Sequence, residues 1–292
     1  MTLTDCPVCG GKDLNEVVTA IDHLVSNKSF TLVECTICRT RITNPRPDEN
    51  ELSQYYQSEE YISHTNEGNS LINRIYKVAR YFTLRNKRKL ISIAPHNQTL
   101  LDVGCGTGNF IHHCRDNGWK VVGVEPDPSA RNIAKEDTKN IVHKDLHDLH
   151  DQEFDRVTLW HVLEHLPNLS DTFIRLKNLL SANGKIFIAV PNYLAWEESK
   201  FKEYWAAYDV PRHLHHFTPN SIHVLAQNNG LEVERTYPMR LDSFYISLLS
   251  NKNKTGYNRL VNSFLTGLLS NIYARKSGNY SSLIYQLKKK SG

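Results

Sequence analysis

Leu101-Asp102-Val103-Gly104-Cys105-Gly106-Thr107-Gly108 joins a short apolar strand, TLLDV, to a helical segment, NFIHHCRDNG, through a turn that holds three glycines. Glycines at such a turn let the backbone pass close beneath a ligand, and the helix behind it offers unpaired N–H groups. The same grammar repeats outward. KVVGVE reads as a second strand, and DPSARNIAKED as a helix with Asp127 at its N-cap and Pro128 at its first position. NIVHKD, FDRVTLW and GKIFIAVP supply further strands, separated by a helix through Phe173, Leu176 and Leu180 that is expected to stop at Gly184. TPNSIHVLAQNNG adds a helix capped by Thr218 and ended by Gly230; a helical stretch at 260–273 and a closing strand in SSLIYQLKKK follow LEVERTYP. Alternation at this spacing predicts an α/β fold, a doubly wound sheet with helices on both faces.

A glycine turn alone also suits a dinucleotide, but that fingerprint, G-x-G-x-x-G, needs glycine where this chain has Asn109. Glu125 ends the second strand at the place where an acidic side chain bonds ribose hydroxyls, and Asp145 follows the third.

Upstream, Cys6/Cys9 and Cys35/Cys38 form two Cys-x-x-Cys pairs within residues 1–44, among short β-type runs such as FTLVEC. CPVCG has the form of a zinc knuckle, and two knuckles suit a zinc ribbon whose four thiolates close a tetrahedron around a structural ion. Arg39 stands where the second knuckle usually has glycine, which puts the turn geometry in question and leaves the ligands as they are. Cys105 and Cys114 read as buried small apolar residues.

The 292 residues carry 35 Lys and Arg against 31 Asp and Glu; 23% charged and 10% aromatic content exclude a disordered or collagen-like chain. No apolar run approaches the length of a membrane span and the start lacks a signal-peptide pattern, so the expected location is the cytoplasm with no membrane partner. The net charge of +4 conceals a basic run: Arg74, Lys77, Arg80, Arg85, Lys87, Arg88 and Lys89 fall within residues 68–95, with no acidic residue among them. Apolar positions from Leu71 onward recur at helical spacing, so a basic amphipathic helix ending near Pro95 is expected, its charges either solvated or gripping phosphate.

LDVGCGTGNF, GVEPD, KDL and FDRVTLWHVLEHLPN, in this order and spacing, resemble class I S-adenosylmethionine-dependent methyltransferases over about residues 97–240. CPVCG followed by TNPRPDENELSQYY extends the resemblance to a bacterial branch with an N-terminal zinc module. The resemblance implies a zinc ribbon at 1–44, a helical linker at 45–95, and a Rossmann-like S-adenosylmethionine-binding domain at 96–292, with an aromatic lid at 192–217. It also implies that the turn through Gly104, Cys105, Gly106 and Gly108 passes under the methionine portion of the cofactor, supported by Asp102. Glu125, followed by Pro126, would take the ribose hydroxyls; Asp145 and Leu146 would meet the adenine, and Trp160 would lie beside the sulfonium.

Methyl transfer from a sulfonium is an in-line displacement, so the protein must align donor and acceptor and accept a proton from an O–H or N–H acceptor. Candidate groups lie in WHVLEH, where a helical turn would put His161, Glu164 and His165 on one face, and in DVPRHLHHF, with Arg212, His213, His215 and His216. Three readings stay open. His161 or His213 is a general base and Arg212 orients the acceptor; or His161, Glu164, His165 and His213 or His216 hold a divalent metal; or Glu164 and His165 only fix the local turn. Quinone-type and small-RNA O-methyltransferases are similar to the metal case, with Glu-x-x-Glu-His where this chain has His161-x-x-Glu164-His165.

The connection from Asn192 to Phe217 holds Tyr193, Trp196, Phe201, Tyr204, Trp205, Tyr208 and Phe217, and reads either as a wall over the acceptor pocket, joined by Tyr55, Tyr56 and Tyr61, or as simple packing. The expected activity is methylation of a small molecule, with O-methylation favoured. The alternative is an RNA methyltransferase that uses the ribbon and the basic helix, against which the modest net charge argues.

Overall fold

The structure is a computed structural model that describes residues 1–56, 83–92, 98–136, 141–150 and 152–290. In chain order its strands are β1 (Leu14–Ile21), β2 (Ser29–Cys35), β3 (Arg41–Thr43), β4 (Thr99–Val103), β5 (Lys120–Val124), β6 (Ile141–His143), β7 (Phe154–Trp160), β8 (Leu180–Pro191), β9 (His215–His216), β10 (Leu231–Pro238) and β11 (Ser282–Lys289). Seven of them make one sheet in the order β10-β11-β8-β7-β4-β5-β6. From β6 to β8 every neighbour pair is parallel, and β11 inserts antiparallel between β8 and β10. This is the expected doubly wound α/β sheet. Strands β4, β7 and β8 are covered on both faces, which is why they read as nearly unbroken apolar runs instead of alternating ones. Strand order reverses at β4, so the carboxyl ends of β4, β5 and β7 open a crevice into which Gly104, Glu125 and His161 are delivered.

One expected boundary moves. The helix after β7 is Leu169–Asn178 and stops six residues before Gly184. Leu180 already pairs with Phe154 as the start of β8. Gly184 therefore serves the strand: a Cβ there would lie 2.8 Å from the Phe154 carbonyl oxygen.

The N-terminal unit does not close on itself. Its sheet runs β1-β2-β3-β9, and the fourth strand, His215–His216, comes from the far end of the aromatic connection. The boundary expected after residue 44 is thus crossed by backbone pairing. The aromatic connection folds into the helix Trp196–Phe201 and two tight turns, Lys202–Tyr204 and Ala206–Tyr208. Tyr193, Phe201, Trp205 and Tyr208 are fully buried against Ala20 and Leu32 of the N-terminal unit and Ile246. The expected wall is therefore mostly a core that glues the two units together, because aromatic rings remove large apolar areas from water in a segment with little regular structure.

Of the basic amphipathic helix expected upstream of Pro95, residues 83–91 are helical. Tyr61, Arg74, Lys77 and Arg80 lie outside the described residues. Downstream, a helical hairpin, Asp242–Thr255 and Leu260–Ser277, fills the connection between β10 and β11; each helix ends on a left-handed glycine, Gly256 or Gly278.

Trp205→Ala should cost about 3–5 kcal/mol, the range for truncating a buried aromatic, as measured by the urea midpoint. The loss should appear in the unfolding of both units together, since the side chain is shared between them.

Candidate active site

The glycine turn is held from below. Gly104 and Cys105 donate their N–H groups to the Val124 carbonyl, at 2.7 and 3.0 Å, which ties the turn to the end of β5. Gly104 has φ +68°, and a Cβ on it would meet Val162 Cγ2 at 2.5 Å, so conformation and space both require glycine. Glu125 accepts from Gly106 N–H at 2.8 Å and from Asp127 N–H at 2.9 Å, so one carboxylate fixes both the glycine turn and the start of the next helix. Burial pushes its pKa up, opposed by those two donors. Cys105 lies in the turn and its thiol is pushed up by burial, as is that of Cys114, consistent with packing roles. Pro126 offers its carbonyl to Arg131 at 2.8 Å. Asp145 is exposed and caps the turn Leu146–Asp148 by accepting from His147 N–H, while Leu146 is buried beneath it.

Asp102 is buried, accepts from Thr158 Oγ1 at 2.6 Å, and is pushed up to about 7 by burial. Opposite it stands Lys87, from the helical run 83–91. Its ammonium sits 4.4 Å from the centre of the Trp160 ring and faces Asp102 and Asp242; burial pushes its pKa down. Trp160 packs edge-on against Phe110, and its buried Nε1 has no partner among the described residues. A concave, polar-edged cradle with an unpartnered donor fits a cofactor of nucleoside and amino-acid character.

His161 closes β7 with φ +57°, a strained value for a residue with a Cβ. Its Nδ1 is 3.3 Å from Glu164 and its Nε2 3.2 Å from Asp242. Burial alone would lower its pKa, yet the two carboxylates raise it to about 9. With both nitrogens engaged and a proton held at neutral pH, His161 is a poor general base.

A second convergence lies just beyond. Glu164, His165 and His213 bring their ligand-type atoms within 4.8 Å of one another. His165 Nδ1 donates to the Arg212 carbonyl at 3.0 Å and His213 Nδ1 to the Ala207 carbonyl at 2.9 Å, while His213 Nε2 lies 3.8 Å from the Asp209 carboxylate. Burial, reinforced by His213, pushes His165 down to about 4. Glu164 is fully buried, and its two oxygens accept no hydrogen bond within the distance and angle of a good one among the described residues; His161 is its ion partner. Tyr56 reaches in with its hydroxyl 3.1 Å from His165 Nδ1. His216 does not join; it faces Thr43 at 3.3 Å, and His215 is 3.1 Å from the Leu166 carbonyl.

Arg212 has a different task from the expected one. Its guanidinium is 1% exposed and is consumed by Asp209, by Asp22 at 3.1 Å and by the Tyr55 carbonyl at 3.0 Å. It holds parts of the chain together, with four of its five N–H donors spent on these three partners.

At the N-terminus the four sulfurs also lie within 4.8 Å, with Cys6–Cys38 and Cys9–Cys35 both at 3.5 Å. A zinc tetrahedron with bonds of about 2.3 Å has sulfur–sulfur edges of about 3.8 Å, so the residues fit the ion. Arg39 takes φ +65°, the conformation Gly10 takes at +73° in the first knuckle, so the departure from glycine is absorbed as local strain. Its guanidinium bonds Glu34 at 2.9 Å and its carbonyl accepts from the Tyr193 hydroxyl.

Asp242 and Asp22 were not singled out from sequence, and Lys87 and Tyr56 were read there with other tasks, in a basic helix and an aromatic wall. Asp242 carries a faint signal, as the last acidic residue of the chain, and Lys87 a misleading one, since it belongs to a run that reads as solvated.

A family model described as a methyltransferase domain matches residues 74–236, more than half of the chain. An uncharacterized methyltransferase of Alkaliphilus oremlandii is 35% identical over 95 residues, 30% of this chain and 44% of that protein. A ubiquinone biosynthesis O-methyltransferase of Dechloromonas aromatica is 30% identical over 110 residues, 35% of this chain and 47% of that protein. The chain thus spans less than half the length of these two curated relatives. The solved magnesium protoporphyrin IX methyltransferase of Synechocystis PCC 6803 shares the fold, with a TM-score of 0.52 over 85% of this chain and 100% of that chain at 14% identity.

The His161 geometry sets a pH dependence. A histidine raised from 6.5 to about 9 contributes stability that is fully present below 6.5 and is lost as pH rises through about 9. Asp242→Asn should lower the imidazole titration seen by NMR and flatten the dependence of the urea midpoint over that interval; an unchanged titration would refute the pairing.

Proposed function

The chain belongs to the class I S-adenosylmethionine-dependent methyltransferases, and on that premise we propose that it methylates a hydroxyl of a small-molecule acceptor, whose proton is taken at the Glu164–His165–His213 cluster. The observation that carries this reading is the orientation of the two rings. Backbone carbonyls hold both Nδ1–H groups and so fix both rings, and one nitrogen of each lies within 4.8 Å of a Glu164 carboxylate oxygen beyond the end of β7. Proximity to the cofactor turn follows from Val162, which touches Gly104 and precedes Glu164 of this cluster by two residues. The name of the Dechloromonas relative, an O-methyltransferase in quinone biosynthesis, supports a small hydroxylated acceptor.

In this reading the cofactor's methionine portion lies over Gly104–Gly108 with its amino group toward Asp102, and its ribose meets Glu125. Asp145 and Leu146 border the adenine. Trp160 covers the sulfonium side, and Lys87 balances the buried Asp102 charge. His161, held as a cation between Glu164 and Asp242, positions the Glu164 carboxylate and neutralises it. Zinc at Cys6, Cys9, Cys35 and Cys38 is structural: it ties two knuckles to the sheet that β9 completes.

The donor set also favours a second reading. Two imidazole nitrogens with one carboxylate oxygen, each imidazole braced by a backbone carbonyl, suit a divalent transition-metal ion. Glu164, His165 and His213 would hold it, and when bound it would act as a Lewis acid that lowers the pKa of the acceptor hydroxyl. His161 and His216, part of the wider ligand set expected from sequence, stay outside it.

Two experiments test these assignments. Glu125→Ala should weaken S-adenosylmethionine binding at least about tenfold by calorimetry while the circular dichroism spectrum is unchanged, since both a ribose contact and the turn's anchor are lost; unchanged affinity would count against the cofactor placement. For the proton-accepting cluster, Glu164→Gln and His213→Ala should each lower kcat by about a hundredfold or more with cofactor affinity retained. Activity that survives removal of all metal except the ribbon zinc leaves the imidazoles themselves as the acceptor; activity restored only by a divalent ion supports the metal.

A further inference from the structure

The second helix of the hairpin is packed inside out. Ser263, Thr266, Gly267, Ser270 and Ala274 face the protein, while Val261, Phe264, Leu265, Leu268, Leu269 and Ile272 stand 41–76% exposed. Steps of three and four residues place the large apolar side chains on one continuous stripe. The helix is locked in this orientation. A Cβ on Gly267 would lie 2.9 Å from Phe244 Cα, Ser263 accepts from Asn251 at 2.9 Å, and Ser270 donates to the buried Glu197. Turning the stripe inward would break those contacts and force bulky groups against a backbone that only small residues fit.

Charge identifies what covers the stripe. From residue 243 to 292 the chain holds no Asp or Glu and eight Lys or Arg. On the hairpin, Lys254, Arg259, Arg275 and Lys276 are exposed, at the turn between the helices and at the end of the second. A second copy of the chain would bring these cations together with no carboxylate from the same segment to pair them. An anionic bilayer surface satisfies both features, taking an apolar stripe at the headgroup–acyl boundary and the flanking cations at its phosphates.

We propose that the hairpin 242–277 docks the protein in the plane of an anionic lipid bilayer. Its second helix, 18 residues and about 27 Å long, lies along the surface. No helix among the described residues is long and apolar enough to cross a membrane, so the proposed contact is peripheral, and it departs from the expectation of no membrane partner. The hairpin begins at Asp242, which holds His161, so the docked element is tied directly to the site. The proposal rests on exposure and charge and is independent of the methyl-transfer reading.

Co-sedimentation of the full chain with vesicles tests it. Binding should appear with phosphatidylglycerol in phosphatidylcholine vesicles and be absent with phosphatidylcholine alone. Leu265→Asp/Leu268→Asp, both on exposed positions, should weaken binding at least about tenfold with an unchanged melting temperature. The charge reversal Arg259→Glu/Lys276→Glu leaves the stripe intact and should weaken binding by about the same factor, giving a readout if the first variant does not fold. No binding to anionic vesicles, equal binding to neutral ones, or binding indifferent to the charge reversal would overturn the proposal. So would a concentration-dependent dimer in lipid-free sedimentation that the Leu265→Asp/Leu268→Asp change abolishes, since a second copy would then be the occupant.

Discussion

A guanidinium withdrawn from water holds this molecule together. Arg212 joins Asp22 in the loop after β1, the carbonyl of Tyr55 in the linker and Asp209 in the aromatic connection. Removing one partner of such a buried ion pair leaves a charge uncompensated, at a cost of about 3–5 kcal/mol, so the three segments are bound to one geometry. Arg212 also acts through its backbone: its carbonyl receives His165 Nδ1–H and thereby sets which face of that imidazole points to the site. The proline before it, Pro211, and the left-handed Asp209 shape the local path.

The N-terminal unit follows from the same constraint. A ribbon of three short strands buries little on its own, and this one completes its sheet with His215–His216 and seats Ala20 and Leu32 against Trp205 and Tyr208. Two histidines that read from sequence as catalytic candidates are therefore a strand. Their burial drives His215 down to about 3 and His216 well below its usual value, so both are neutral packing groups.

Charge balance in the site is likewise collective. Asp102 and Glu164 are buried carboxylates and Asp242 a half-buried one, answered by Lys87 and His161 from two different segments. Such an arrangement is stable only when every member is present, which explains why a lysine from a run that looks solvent-facing is turned inward over Trp160.

The alternation of strands and helices in the sheet domain, the glycine turn, Glu125 at the end of β5 and the two cysteine pairs were legible in the sequence, because each rests on local chemistry: burial on both faces, a positive φ at Gly104, the spacing of a knuckle. The role of Gly184 was not, since the pairing of Leu180 with Phe154 overrides the local helix signal. Nor were Asp242 and Asp22 as partners of His161 and Arg212, which lie 81 and 190 residues away in the chain and meet only when the elements pack. The sequence by itself determined the class of fold, the four clustered thiols and the glycine turn. Tertiary structure alone decided which histidines are protonated, which arginine is structural and which helix face stays bare, because those properties depend on burial and on charges brought together from distant parts of the chain.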